Sequence, residues 1–129
     1  MKKIHTDRAP KAIGPYSQAV RAGGFLFVSG QIPLDPKTGK LVEGPIATHT
    51  AQVLDNIEAI LHASGLSFKH VVKTEVYLKD MADFPEVNAL YATRFTSEPL
   101  PARQTMQVAK LPLDARIEIS CIAVIEDTH

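Results

Sequence analysis

Pro101-Ala102-Arg103-Gln104-Thr105-Met106-Gln107-Val108-Ala109-Lys110-Leu111-Pro112-Leu113-Asp114-Ala115-Arg116-Ile117-Glu118-Ile119-Ser120-Cys121-Ile122-Ala123-Val124 is the stretch that decides the fold. It holds two apolar, strand-like runs, Thr105–Ala109 and Ile117–Ile125. Each carries one charge where a strand prefers none: Arg103 just before the first run and Glu118 inside the second. A charge in a buried strand is costly unless it is paired or used. An ion pair or a side chain snorkelling to water is one explanation. A site is the other. Arg103 offers a planar five-donor fork matched to a carboxylate, and Glu118 can hold or activate a water.

Immediately upstream, Asp83-Phe84-Pro85-Glu86 opens a helix. Asp83 can cap it, Pro85 suits the first turn and Glu86 is placed for a capping box. Phe84, Val87, Tyr91 and Phe95 form its apolar stripe, with Asn88 beside it. The ordinary reading of Asn88 is a solvated or backbone-bonded side chain. Val71–Leu78 reads as a strand with Val72, Thr74, Val76 and Leu78 on one face and Val71, Lys73, Glu75 and Tyr77 on the other. Ile46–Ser64 reads as a longer helix, its stripe made by Val53, Leu54, Ile57, Ile60 and Leu61. Thr48 or Thr50 is placed to cap it, and Gly65 takes the favoured position after its end. His49 and His62 are too far apart for a helical ligand pair and read as surface residues.

Further upstream, Ser17–Arg21 and Phe25–Ser29 flank a Gly-Gly turn, a hairpin signal. Phe25–Val28 is apolar on both faces. Ser29-Gly30-Gln31-Ile32-Pro33 ends that strand, either as a simple exit or as a place where Gly30 lets a ligand approach the backbone. Gly14-Pro15 precedes Tyr16, which is either a half-buried turn residue or the aromatic wall of a pocket. Met1–Lys11 is polar and is expected to be a loose N-terminal segment of one domain covering residues 1–129. The order is hairpin, helix, strand, helix, strand, strand. A strand–helix–strand unit implies a right-handed crossover and a sheet with helices on one face. Two helices cannot cover both faces. The apolar content of Phe25–Val28 and Ile117–Ile125 favours another chain on the second.

Bulk properties narrow the function classes. Fourteen Lys and Arg balance fourteen Asp and Glu, so the basic footprint of a general nucleic-acid binder is missing. No run reaches the roughly 18–20 apolar residues that span a bilayer, and Met1-Lys-Lys-Ile-His-Thr lacks the apolar core of a signal peptide. Cys121 is the only cysteine; it reads as a small buried thiol, with a nucleophile as the alternative. A reducing, cytoplasmic setting is the default. The glycines match no phosphate-binding pattern, and no closely spaced His/Cys cluster suggests a metal.

Four ordered motifs point to a family. Ala12-Ile13-Gly14-Pro15-Tyr16-Ser17-Gln18-Ala19, Ser29-Gly30-Gln31-Ile32-Pro33 and Val87-Asn88 lead to the C-terminal set, Pro101-Ala102-Arg103, Val108-Ala109-Lys110-Leu111-Pro112 and Ile117-Glu118-Ile119. Together they resemble the Rid family, named for reactive intermediate deaminase A, over nearly the whole chain. The resemblance implies an α+β, chorismate-mutase-like single domain: a mixed sheet with two helices on one face, packed as a trimeric barrel with ligand sites between subunits. It implies hydrolysis of 2-enamine and 2-imine acids, such as 2-aminoacrylate, to 2-keto acids and ammonia. No cofactor or metal is implied, because an iminium carbon is already electrophilic. By the same resemblance Arg103 clamps the substrate carboxylate and Glu118 positions the water. Gly30 and the backbone around Thr105 contact the ligand, while Tyr16, Ser29 and Asn88 complete the pocket. The expected partners are a small 2-imino or 2-keto acid and two further copies of the chain, not membrane or nucleic acid. Thr105 stands where many deaminases of the family carry cysteine, and Ser120 where an acid is frequent. Two other functions remain open: a small-carboxylate-binding regulatory module without turnover, and a ribonuclease or translation inhibitor.

Overall fold

In the computed structural model, which describes residues 1–125, the Ile117–Val124 stretch is the centre of the sheet. Eight elements surround or include it: β1 (Lys2–Ile4), β2 (Ala19–Ala22), β3 (Phe25–Gln31), α1 (Ile46–Ala63), β4 (Val71–Leu78), α2 (Phe84–Arg94), β5 (Ala102–Gln107) and β6 (Ile117–Val124). The six strands form one sheet in the order β1-β2-β3-β6-β4-β5. Only the β4–β5 pair is parallel, because α2 carries the chain back across the sheet between them. The other four pairs are antiparallel. Both helices pack on this mixed sheet, the α+β arrangement that the sequence implies.

Strand alternation builds the core. Ile117, Ile119, Cys121 and Ala123 of β6 are buried, as are Leu26 and Val28 of β3 and Thr74, Val76 and Leu78 of β4. The α1 stripe of Val53, Leu54, Ile57, Ile60 and Leu61 is fully buried against them. Each such aliphatic side chain contributes roughly 1.5–3 kcal/mol by leaving water. Val87 and Tyr91 of α2, and Phe95 just after its end, join the same core. The opposite sheet face is also apolar in part. Phe25 and Phe27 of β3 are 41% and 42% exposed, Val124 stands open opposite Phe25 on β6, and Val72 of β4 and Met106 of β5 are exposed farther along the sheet.

Several local expectations are corrected. The N-terminal segment is not loose: β1 pairs with β2, and Ile4 and Ala9 are buried. Gln18, only 2% exposed, holds the following residues. Its Nε2 donates to the Thr6 and Pro10 carbonyls at 3.0 and 2.8 Å, and its Oε1 accepts from Thr6 N–H at 2.8 Å. A polar segment is thus tied down through a side chain distant in sequence. Val71 faces the core rather than the open side, because the β4–β6 register shifts between Val71 and Lys73 and turns Val72 outward. His49 is buried rather than exposed; burial and the neighbouring Arg116 charge hold its pKa below the usual value.

The helix caps differ too. Pro45 occupies the N-cap of α1, and Thr50 instead donates its hydroxyl to the Ile46 carbonyl at 2.9 Å. Asp83 precedes α2 without a side-chain cap, because both its carboxylate oxygens accept from Arg116 at 3.1 Å. Gly65 does close α1 with φ 75°, in the left-handed conformation that favours glycine.

Replacing Gln18 with Ala strands buried carbonyls around Thr6–Pro10. Such groups cost about 1–3 kcal/mol when left unpaired, so the urea midpoint of Gln18→Ala is expected to fall accordingly. Amide exchange at Thr6 should accelerate with it. An unchanged midpoint would show that the N-terminal segment is held some other way.

Candidate functional site

The Glu118 carboxyl sits where β3 loses its regular register. The β3–β6 pairing shifts between Val28 and Gln31, and Gly30 falls inside the irregularity. A Cβ on Gly30 would run into the Glu118 carboxyl group, its carbon only 2.7 Å away. Gly30 thus lets the Glu118 carboxyl lie against the backbone, a position from which any larger side chain would push it. The carboxyl opens into a cavity of about 550 Å³ whose wall includes Tyr16, Ser29, Gly30 and Glu118. Burial raises the Glu118 pKa above the ordinary carboxylate value. None of the ion pairs among the described residues includes it.

Local hydrogen bonds set the rest of that wall. Gly14 adopts φ 126°, and Tyr16 N–H closes a tight turn onto the Gly14 carbonyl at 2.9 Å. The Tyr16 hydroxyl accepts from Ile13 N–H at 3.2 Å, leaving its own proton free for the cavity. Ser29 donates its hydroxyl to the Ser17 carbonyl at 2.6 Å, so it fastens the wall. From below, the buried Asn56 of α1 donates to the Leu34 carbonyl at 2.9 Å and the Ile32 carbonyl at 3.3 Å, fixing the loop that forms the cavity floor. On the other side lies Pro112-Leu113. Leu113 and Asp114 both take φ 55°, a left-handed conformation costing roughly 1–2 kcal/mol per non-glycine residue.

Arg103 belongs to a second cluster. Thr74 pairs with both Arg103 and Cys121, whereas Tyr77 pairs with Glu118. Paired residues share a face and neighbours alternate, so Arg103 lies on the helix-covered side and Glu118 on the open side. Arg103 Nη1 donates to Asn88 Oδ1 at 2.7 Å. Its guanidinium carbon lies 4.8 Å from the Tyr91 ring centroid and 5.4 Å from that of Phe84, within cation–π range. Tyr91 is steadied by Phe95, stacked at 4.3 Å, and by a 2.8 Å hydroxyl bond with Thr74. Thr105 lies two residues along β5 on the Arg103 side, its buried hydroxyl oxygen without a partner.

One chain therefore brings Tyr16, Ser29, Gly30 and Glu118 into one cavity, and Arg103, Asn88 and Thr105 into another group on the reverse face. The sequence reading missed Phe84 and Tyr91 as the platform for Arg103. Their spacing around Asn88, at 84, 88 and 91, was the available signal. It also missed Asn56, for which periodicity offers no clue. Among the described residues, no group of three or more His, Cys, Asp or Glu side chains could hold a metal ion, and no helix is long and apolar enough to cross a membrane.

A mixed sheet backed by two helices, with a carboxyl cavity on one side and an arginine cluster on the other, defines a small-molecule-binding α+β domain. Comparison with known proteins places it. The family model described as Endoribonuclease L-PSP matches residues 6–125, and the chain belongs to this family, the YjgF/RutC/Rid proteins. A RutC family protein of Pyrococcus horikoshii is 57% identical over 120 residues, covering 93% of this chain and 94% of its own. The mouse 2-iminobutanoate/2-iminopropanoate deaminase is 50% identical over 123 residues, covering 95% of this chain and 90% of its own. Among solved structures, E. coli TdcF with bound serine superimposes with a TM-score of 0.90 at 41% identity, covering 96% of this chain and 98% of its own.

Gly30→Ala tests the contact that shapes the cavity. The new methyl is expected to displace the Glu118 carboxyl toward water and bring its pKa back down toward the ordinary range. A carbon-13 NMR titration of that carboxyl reads the change. An unaltered titration would mean that Gly30 does not govern Glu118.

Proposed function

We propose that this protein hydrolyses 2-imino acids and their 2-enamine tautomers to 2-keto acids and ammonia, as a homotrimer with its sites between subunits. The observation that carries this reading is the Glu118 carboxyl, lifted by burial and set in a cavity beside Gly30 and Tyr16. A carboxylate whose pKa is raised toward the working pH is suited to take and return a proton. The name of the mouse relative and the serine bound to E. coli TdcF support a small amino-acid-like substrate. Because Arg103 and Glu118 lie on opposite faces of one sheet, the reading requires the Glu118 cavity of one copy to be completed by Arg103 of another. The open apolar face bearing Phe25, Phe27 and Val124 supports such packing.

The chemistry then follows from the residues. Arg103 grips the substrate carboxylate through two parallel N–H bonds, its fork pre-set by Asn88 and the two rings. Glu118 accepts a proton from water as the water oxygen bonds to C2 and the C=N pair moves onto nitrogen. The carboxylic acid returns that proton to the nitrogen. Glu118 then takes the proton of the C2 hydroxyl and passes it to the nitrogen, the C2–N bond breaks, and ammonia leaves as the C2–O bond becomes a carbonyl. Gly30 leaves room for the carboxyl and the incoming water, and the Tyr16 hydroxyl can donate to the oxygen during the addition. A cytoplasmic location beside the enzymes that release such imines fits this role. The family description also names an endoribonuclease, but the residues lining the Glu118 cavity include no histidine, which favours imine hydrolysis.

A pyridoxal-dependent serine dehydratase can supply 2-aminoacrylate, and pyruvate release is then followed with time. Wild type is expected to accelerate it. Arg103→Ala should lower kcat/KM by roughly a hundredfold or more, the scale of losing a charged partner. Glu118→Gln should lower kcat by about 100-fold or more while still binding pyruvate. Binding of pyruvate by wild type without any acceleration would transfer the protein to the regulatory-module reading. RNA cleavage that survives both substitutions would assign no RNA chemistry to this site.

The pH profile supplies a separate check. Glu118 must be ionised to accept the proton, so kcat/KM should fall as pH drops through its raised pKa. That acid limb is expected above the ordinary carboxylate range, and Gly30→Ala should move it down. A limb at an ordinary carboxylate pKa would remove the burial of Glu118 from the mechanism.

A further inference from the structure

We infer that Thr74 is a positioning residue for the Arg103 clamp: through the Tyr91 hydroxyl it fixes the ring under the guanidinium and so sets how tightly the substrate carboxylate is held. This rests on the imine-hydrolysis reading and adds to it a residue that touches no substrate. The starting point is a polar pair in a layer of apolar side chains. Under the helices, Val76 and Leu78 of β4 and Ile117, Ile119 and Ala123 of β6 are all buried. Thr74 is fully buried with them, and its Oγ1 lies 2.8 Å from the Tyr91 hydroxyl. Thr74→Val and Tyr91→Phe would each keep the shape of the side chain. Replacing both partners of a buried hydrogen bond by apolar groups of the same shape is nearly neutral or stabilising. Stability therefore does not account for this pair, and the geometry that it fixes does.

The surroundings show what that geometry is. The ladders put Thr74 directly opposite Arg103 on β5 and Cys121 on β6, so the bond ties α2 to the row of the sheet that carries the arginine. The Arg103 guanidinium carbon stands 4.8 Å from the centroid of the same Tyr91 ring. Phe95 stacks on that ring at 4.3 Å, and Phe68 meets Phe95 edge-on at 4.8 Å. Stacking sets the plane of Tyr91 but leaves the ring free to slide. A hydrogen bond is directional, and this one pins the ring's tip to the sheet. Burial raises the Tyr91 pKa, so the hydroxyl keeps its proton and stays a bonding group. Asn88 holds the guanidinium separately, accepting from Nη1 at 2.7 Å. The ring fixes where the guanidinium lies and Asn88 fixes its rotation. A grip on a carboxylate through two parallel N–H bonds needs both. Thr74 and Tyr91 are buried by their own chain, so their bond does not depend on a neighbouring copy.

The test is a double-substitution cycle in the full chain: Thr74→Val, Tyr91→Phe and the two together, with Thr74→Ser as the conservative variant. Pyruvate affinity is measured by calorimetry, and kcat and KM on 2-aminoacrylate. The double variant is expected to melt no earlier than wild type, yet to raise the pyruvate Kd and KM about tenfold, within the roughly hundredfold loss that a misplaced group causes. Its kcat and the acid limb of its pH profile should stay where Glu118 sets them, because a grip made equally in ground and transition states acts on KM. The Arg103 Nε–H NMR signal, displaced by the ring beneath it in wild type, should move toward the position of a free arginine. Thr74→Ser keeps the hydroxyl and should keep the affinity. A double variant that binds pyruvate as tightly as wild type overturns the inference. So does weak binding in Thr74→Val that the double variant restores, since the defect was then the stranded Tyr91 hydroxyl. A double variant that melts well below wild type assigns the bond to stability and overturns the inference as well. Turnover by wild type keeps the imine-hydrolysis reading whatever the variants do; neither turnover nor pyruvate binding by wild type overturns both.

Discussion

β6 has neighbours on both edges, β3 on one and β4 on the other, so it cannot rotate or slip without breaking two ladders. A one-residue shift would send Ile117, Ile119, Cys121 and Ala123 to the open face and drive Glu118 under the helices. Four buried apolar side chains thus hold one carboxyl on the opposite side of the sheet. The irregular pairing of β3 then brings Gly30 against that carboxyl. The cavity around Glu118 depends on this register, as does the separation of Glu118 from Arg103.

The two charges are held by different physics. Glu118 is partly desolvated without an ion pair among the described residues, and its acid form is favoured by burial. Arg103 stays exposed, lying over Tyr91 and Phe84 with one nitrogen bonded to Asn88. The guanidinium over the two rings keeps its charge and is held in one orientation by the rings and the Asn88 bond. The carboxyl is poised to change protonation, whereas the guanidinium is built not to. Their placement on opposite faces of the sheet keeps the two charges in separate clusters within one chain.

The cavity also depends on segments far from the sheet centre. Gln18 ties down the stretch leading to Pro10, Asn56 anchors the loop at Ile32 and Leu34, and the Lys79–Asp114 pair braces the turn carrying Leu113. Each uses a side chain to satisfy backbone groups or a carboxylate where no ladder is available. These supports place apolar groups around the carboxyl and keep the cavity open.

The sequence by itself determined the two helices, five of the six strands, the α+β class and the residues worth suspecting. Those features arise from short-range periodicity: the stripe at Val53–Leu61, the alternation at Ile117–Val124 and the breaks at Gly23-Gly24 and Pro99–Pro101. Motif spacing added the family. Tertiary structure alone decided that Lys2–Ile4 is a strand, that His49 is buried, that Asp83 serves Arg116 rather than a helix end, and that Val71 turns inward. It also decided that Arg103 and Glu118, fifteen residues apart, face opposite sides of the sheet. Each of these depends on which partner lies opposite a residue across a ladder or a packed layer. That choice is made by the register and burial of distant segments, to which a local pattern of side chains is blind.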